Sequence, residues 1–141
     1  MTTQYREMIY KGKTIPIRLK FNHWLPKVLG GWIGAVTVGT NMYFKRSPRE
    51  AHIVMFAHEC LHVASFLELE KRTWRQSYKL AIIWWILQYV WDFITSGFRY
   101  RKMKEESNAY DNQWTVLNGE HADIKIHWAT VRRQMGYNSL E

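Results

Sequence analysis

Cysteine is almost missing from this chain. Its 141 residues include one, Cys60, so no internal disulfide can staple the fold. Such usage suits a reducing compartment. The first ten residues also lack the apolar core of a secretory signal, so the expectation is a cytoplasmic or virion-associated protein. Long apolar runs are missing too. The most strongly apolar uncharged stretch, residues 80–91, is shorter than the roughly 20 residues a transmembrane helix needs, and Asp92 closes it. There is no internal repeat, low-complexity segment or linker, which leaves a single domain over 1–141. Proline is scarce, with three in all, and neither Pro nor Gly occurs between Pro48 and Gly97. That interval is free to be helical.

Acidic residues are few: 12 Asp and Glu stand against 20 Lys and Arg, a formal charge of +8. The excess favours acidic partners, namely nucleic acid, an anionic surface or an acidic protein. No zinc-finger spacing or RNA-binding signature accompanies it, and basic residues on solvated faces account for it most simply. What the chain does have is apolar and aromatic mass. Hydrophobic residues make up 47% and aromatics 16%, with eight Trp, which argues for a globular protein rather than a disordered one and suggests extensive packing, a partner surface or a membrane-proximal face.

The densest chemical signal is His58-Glu59-Cys60-Leu61-His62. Four residues make about one helical turn, so both imidazoles project from one face. Two neutral imidazoles so placed suit Zn2+, and Glu59 beside them is set to take a proton from water. Ser47-Pro48-Arg49-Glu50 reads as a capping box that starts the helix. The residues that follow are apolar nearly all round, as in a buried helix. Cys60 points elsewhere and reads as a small core residue. A catalytic zinc needs a third protein ligand, with Glu105, Glu106, His121, His127, Asp92 and Asp111 as candidates.

The chain resembles the gluzincin metallopeptidases, small zinc peptidases of this type being found in bacteria and phages. In that group a downstream helix supplies a glutamate ligand, often as Glu-x-x-Ala and then an aromatic or acidic residue. Glu106-Ser107-Asn108-Ala109-Tyr110 matches, with Glu106 as ligand. Residues 34–39 and 42–44 resemble the strand pair that precedes the metal helix there. The likeness covers about residues 33–114. It implies zinc held by His58, His62 and Glu106, with Glu59 as general base in hydrolysis of a protein or peptide substrate, cell-wall peptide bonds among them. Where several gluzincins carry an acid that orients a histidine ligand, this chain has Tyr110, with Asp111 one residue later as the candidate orienting carboxylate. Glu105 is the alternative glutamate ligand, and His121 or His127 the alternative of another branch. Tyr100, Tyr110 and His127 are candidate oxyanion donors.

The remaining segments set the architecture expected. Residues 15–21 alternate apolar and basic as a half-exposed strand does, and Pro16 places it at an edge or a strand start. Residues 25–31 read as a loop marked by Pro26 and Gly30-Gly31. Residues 33–38 and 42–45 read as strands around a tight turn near Thr40-Asn41, offering an edge for an extended peptide. Residues 80–91 read as a buried helix, with an interfacial or partner-binding helix as the alternative. Ile124, Trp128, Val131 and Met135 recur at helical spacing and read as a terminal helix. The expected fold class is therefore α+β: a small N-terminal sheet, then helices carrying a zincin-like site. The competing function is a non-enzymatic component of a larger assembly, such as a phage particle, a membrane or a nucleic-acid complex, with a structural or vestigial metal.

Overall fold

The computed structural model describes residues 2–29, 34–47, 53–97 and 104–134. The fold is α+β, a five-stranded mixed sheet packed against helices. The capping box beyond Ser47, the Gly30-Gly31 pair, Ile33, Tyr100 and Met135 lie outside the described residues, as does the side chain of Glu105.

β1 (Thr2–Tyr10) and β2 (Lys13–Phe21) form an antiparallel hairpin in which Tyr10 faces Lys13. Lys11 (φ 48°) and Gly12 (φ 79°) close it, both left-handed as a two-residue primed turn requires. Alternation buries Arg6, Met8 and Tyr10 on one strand and Ile17, Leu19 and Phe21 on the other. The intervening residues face out. β3 (Ala35–Val38) and β4 (Asn41–Phe44) form a second hairpin around Gly39-Thr40. β4 pairs with β2 in parallel, and β5 (Ile124–Ile126) pairs with β1, giving the order β3-β4-β2-β1-β5.

Four expectations are corrected here. β2 is an interior strand, despite Pro16. The Arg18 N–H points to the β4 side, bonding the Thr40 carbonyl, so position 16, two residues earlier, faces the same side beyond the end of β4. The N–H that proline lacks would have had no ladder partner there. Most of the expected loop at 25–31 is α1 (Trp24–Leu29). His23 Nδ1 accepts from the Leu25 N–H, and Pro26 sits in the first turn, where its missing donor is no loss. Ile124 belongs to β5, because β1 offers an edge that Ile124 and Ile126 complete. The terminal helix α5 (Trp128–Gln134) starts four residues later. The fourth correction concerns residues 80–91. They do form a helix, α3 (Tyr78–Thr95), but only Ala81 and Trp85 are buried in it.

The core lies between the sheet and α2 (Ile53–Arg72), which buries Phe56, Ala57, Cys60, Leu61, Val63 and Ala64 against Met8, Leu19, Phe21 and Phe44. α4 (Lys104–Leu117) packs on the other side of α2, adding Ala109 and Val116. A smaller cluster of Phe66, Ala81 and Trp85 joins α2 to α3.

Candidate metal centre

α2 presents His58 and His62 one turn apart, on the side facing α4. On α4 the residues that come round to meet them are Glu106, Ala109, Tyr110, Gln113 and Val116, at spacings of three and four. Glu106 places Oε2 2.8 Å from His58 Nε2 and Oε1 3.0 Å from His62 Nε2. The two Nε2 atoms are 3.3 Å apart. These three residues form the one group of metal-ligating side chains found among the described residues.

The donor set passes a simple test for a small cation. Zinc bonds of about 2.0–2.1 Å in a tetrahedron separate neighbouring ligand atoms by roughly 3.3 Å. The two Nε2 atoms, 3.3 Å apart, match that edge, and each faces its own Glu106 oxygen at 2.8 or 3.0 Å. Two imidazole nitrogens and one carboxylate oxygen also suit zinc chemically and leave a fourth position. His58 Nδ1 donates to Gln113 Oε1 at 3.0 Å, which fixes the ring and leaves Nε2 toward Glu106. The Tyr110 ring lies tilted against the His58 ring, centroids 4.5 Å apart.

Glu59 is buried next to the cluster but belongs to another contact. Its Oε2 accepts from the Thr37 hydroxyl on β3, the last strand of the sheet. Burial pushes its carboxyl above the ordinary carboxylate range. His62, His58 and the Thr37 hydrogen bond act in the opposite direction, while Glu106 adds to the rise. A cation held by the neighbouring ligands would favour the ionised form. For Glu106 burial also raises, but hydrogen bonds from His58 and His62, with a third from the Tyr89 hydroxyl, outweigh it and hold the carboxyl far below the usual range.

α3 covers the cluster. Trp85 lies 6.3 Å from the His62 ring by centroids, and Tyr89 bonds Glu106. A groove between α2, α3 and α4 runs on from this point, lined by Ser65, Arg72, Trp84, Trp91, Asn108 and Asp111. Ser65 stands three residues after His62, so the groove begins one turn along from the ligands.

The other residues read from sequence lie elsewhere. Asp111 is exposed and lines the groove, so it does not orient His58. Five residues beyond Glu106 is about 140° round the helix, whereas Gln113, seven beyond, is back on the same face. Asp92 is on α3 and also lines the groove. His121 Nδ1 accepts the N–H groups of Asp123 and Ile124 and shapes the entry to β5. His127 is exposed and bonds Thr130 just before α5. Neither is in the ligand group, and among the described residues Tyr110 is the oxyanion candidate that lies beside it. Cys60 is buried with its thiol pushed well above its ordinary value by burial, as befits an inert core residue. Sequence reasoning missed Thr37, Gln113 and Tyr89. Of these only Gln113 carried a signal, its place on the Glu106 face. Comparison with protein-family models, with curated proteins and with solved structures finds no match to this chain.

Proposed function

We propose that this chain is a zinc-dependent peptidase of the gluzincin type, with His58, His62 and Glu106 as ligands and Glu59 as general base. One observation carries the reading. Three donor atoms converge from α2 and α4, while a fourth ionisable group, Glu59, is buried beside them and held by Thr37 rather than by the ligand set. A purely structural site has no use for an extra buried carboxyl of that kind beside its ligands.

Zinc at these donors supplies Lewis acidity toward a water and toward a carbonyl oxygen. Glu59 takes a proton from the attacking water as its oxygen bonds the carbonyl carbon. It then delivers that proton to the amine nitrogen as the C–N bond breaks. The Thr37 hydroxyl holds Glu59 in place, and Gln113 holds the His58 ring. Among the described residues β3 ends the sheet and no strand pairs with its outer edge, which would suit an extended peptide. Thr37 lies on that same strand, so a peptide paired there would run beside Glu59.

The competing reading is an interaction protein with a structural metal. It draws on the burial of all three ligands and on the Tyr89 hydroxyl over Glu106, since closed sites suit structural zinc. The experiment that separates them is hydrolysis of an unfolded protein or a peptide mixture by wild type and Glu59→Gln. The peptidase reading expects cleavage by wild type, and a loss of about 10²–10⁴-fold in Glu59→Gln with zinc content unchanged. Zinc-loaded wild type without cleavage favours the structural metal.

A further inference from the structure

α3 leaves most of its apolar residues outside the core. At 100° per residue, the side turned to the protein carries Ala81, Ile82, Trp85, Tyr89, Asp92 and Phe93, of which Ala81 and Trp85 are buried. The outer side, an arc of about 160°, carries Leu80, Ile83, Trp84, Ile86, Leu87, Val90, Trp91 and Ile94, with Lys79 as its one charge; Trp84 and Trp91 stand at its edge, where they also line the groove toward α2 and α4. These side chains are in water: Ile83 and Trp84 are each 54% exposed, Leu87 56%, Val90 52% and Trp91 66%. From Leu80 to Ile94 the ridge is about 21 Å long. An apolar patch of this continuity marks a binding surface.

The charge around it says what kind. Residues 71–104 contain eight of the chain's 20 Lys and Arg: Lys71, Arg72, Arg75 and Lys79 before the ridge, and Arg99, Arg101, Lys102 and Lys104 after it. The one acid in that interval is Asp92, which lies on the inner side of the helix. This segment alone therefore accounts for +7 of the formal +8. A second copy of the chain is a poor occupant, because a two-fold contact through α3 would set two such segments against each other. Nucleic acid is a poor match for an arc of eight apolar residues that carries one cation, Lys79. An anionic bilayer surface matches both halves of the pattern. The apolar ridge enters the acyl boundary, Trp84 and Trp91 sit at headgroup depth, and the exposed Arg75 and Lys79 at its start meet lipid phosphate.

We propose that α3 is an interfacial helix that seats this protein on anionic lipid. No helix among the described residues is long and apolar enough to cross a membrane, so the contact is with one leaflet. The inner side of the same helix carries Trp85 and Tyr89 over the metal centre, so docking places that centre immediately beneath the lipid surface. The proposal does not depend on the metal or on catalysis.

The test uses the full chain and two vesicle preparations, pure phosphatidylcholine and a mixture with phosphatidylglycerol, in flotation assays with tryptophan emission recorded. Wild type is expected to float with the anionic vesicles, with a blue shift in emission. Binding is expected to weaken by at least about tenfold in Ile83→Asp/Val90→Asp, and likewise in Arg75→Glu/Lys79→Glu. All four positions are exposed, and unchanged circular dichroism and melting temperature certify that the variants fold. The proposal is overturned by wild type that floats with neither preparation. It is equally overturned by an Ile83→Asp/Val90→Asp variant that binds like wild type, which would mean charge adsorption alone. A wild-type dimer that this variant disperses, without vesicle binding by either, would assign the ridge to a second copy.

Discussion

Gln113 donates nothing to the centre directly, yet its oxygen receives the His58 Nδ1 proton and so decides which nitrogen faces Glu106. Removing such a partner usually weakens metal affinity by about 10–100-fold. Gln113→Leu should therefore lower zinc affinity by that amount in competition with a chromophoric chelator, and Asp111→Asn should leave it unchanged. Equal affinity in all three proteins would contradict the assignment. This residue also shows what the sequence could and could not tell. His58 and His62, with Glu59 between them, were readable because spacing alone places two residues of a helix on one face; Glu106 was singled out by the resemblance to the gluzincins. The orienting partner was sought among carboxylates, and a neutral amide fills the place. The Thr37 hydroxyl reaches Glu59 across 22 positions of chain, through a sheet edge whose packing on α2 no local pattern encodes.

At the scale of elements, α2 is tied to the β1–β2 hairpin by Glu68, which accepts from Tyr10 and from Lys11, the latter at 2.9 Å. Those hydrogen bonds, Tyr10 first, lower the Glu68 carboxyl to about 2. The folded value is below the unfolded one of about 4.3, so the contribution to stability is fully present above that pH. It is lost as pH falls toward 2. Acid titration of the melting temperature should be steeper between pH 4.5 and 2 in wild type than in Glu68→Gln, and identical slopes would rule the contact out. Gly39 makes a second element-level test. Its φ is 65°, and an added Cβ would run into the Tyr78 hydroxyl and Ile82, where α3 abuts the β3–β4 turn. Gly39→Ala should cost at least about 1 kcal/mol in denaturant unfolding. An unchanged midpoint would contradict the close approach.

The elements differed in how plainly they could be read. β2, β3 and β4 announce themselves by alternation and turn residues. β1 alternates too, at Arg6, Met8 and Tyr10, but its turn is Lys-Gly rather than the familiar Asn-Gly. β5 is three residues long and exists because β1 has an edge to fill. α3 misled for a physical reason: apolar content shows that a surface wants to leave water, and whether it meets the protein core or another surface is decided by tertiary packing.

For the whole molecule, the claim with the widest reach is that a cation joins α2 to α4. Their ligands converge from residues 58–62 and 106, so an ion that binds only the folded chain would stabilise the domain as a unit. At 100 times its dissociation constant it would add about 2.7 kcal/mol, or roughly 5–10 °C in melting temperature for a chain of this size. Dialysis against a chelator should lower the melting temperature by that amount, zinc should restore it, and Glu106→Ala should respond to neither treatment. The most direct measurement is the metal itself. Elemental analysis of purified wild type, with zinc present during folding, is expected to give one zinc ion per chain and far less than one in Glu106→Ala. A wild-type protein that folds and remains metal-free would contradict the account at its centre.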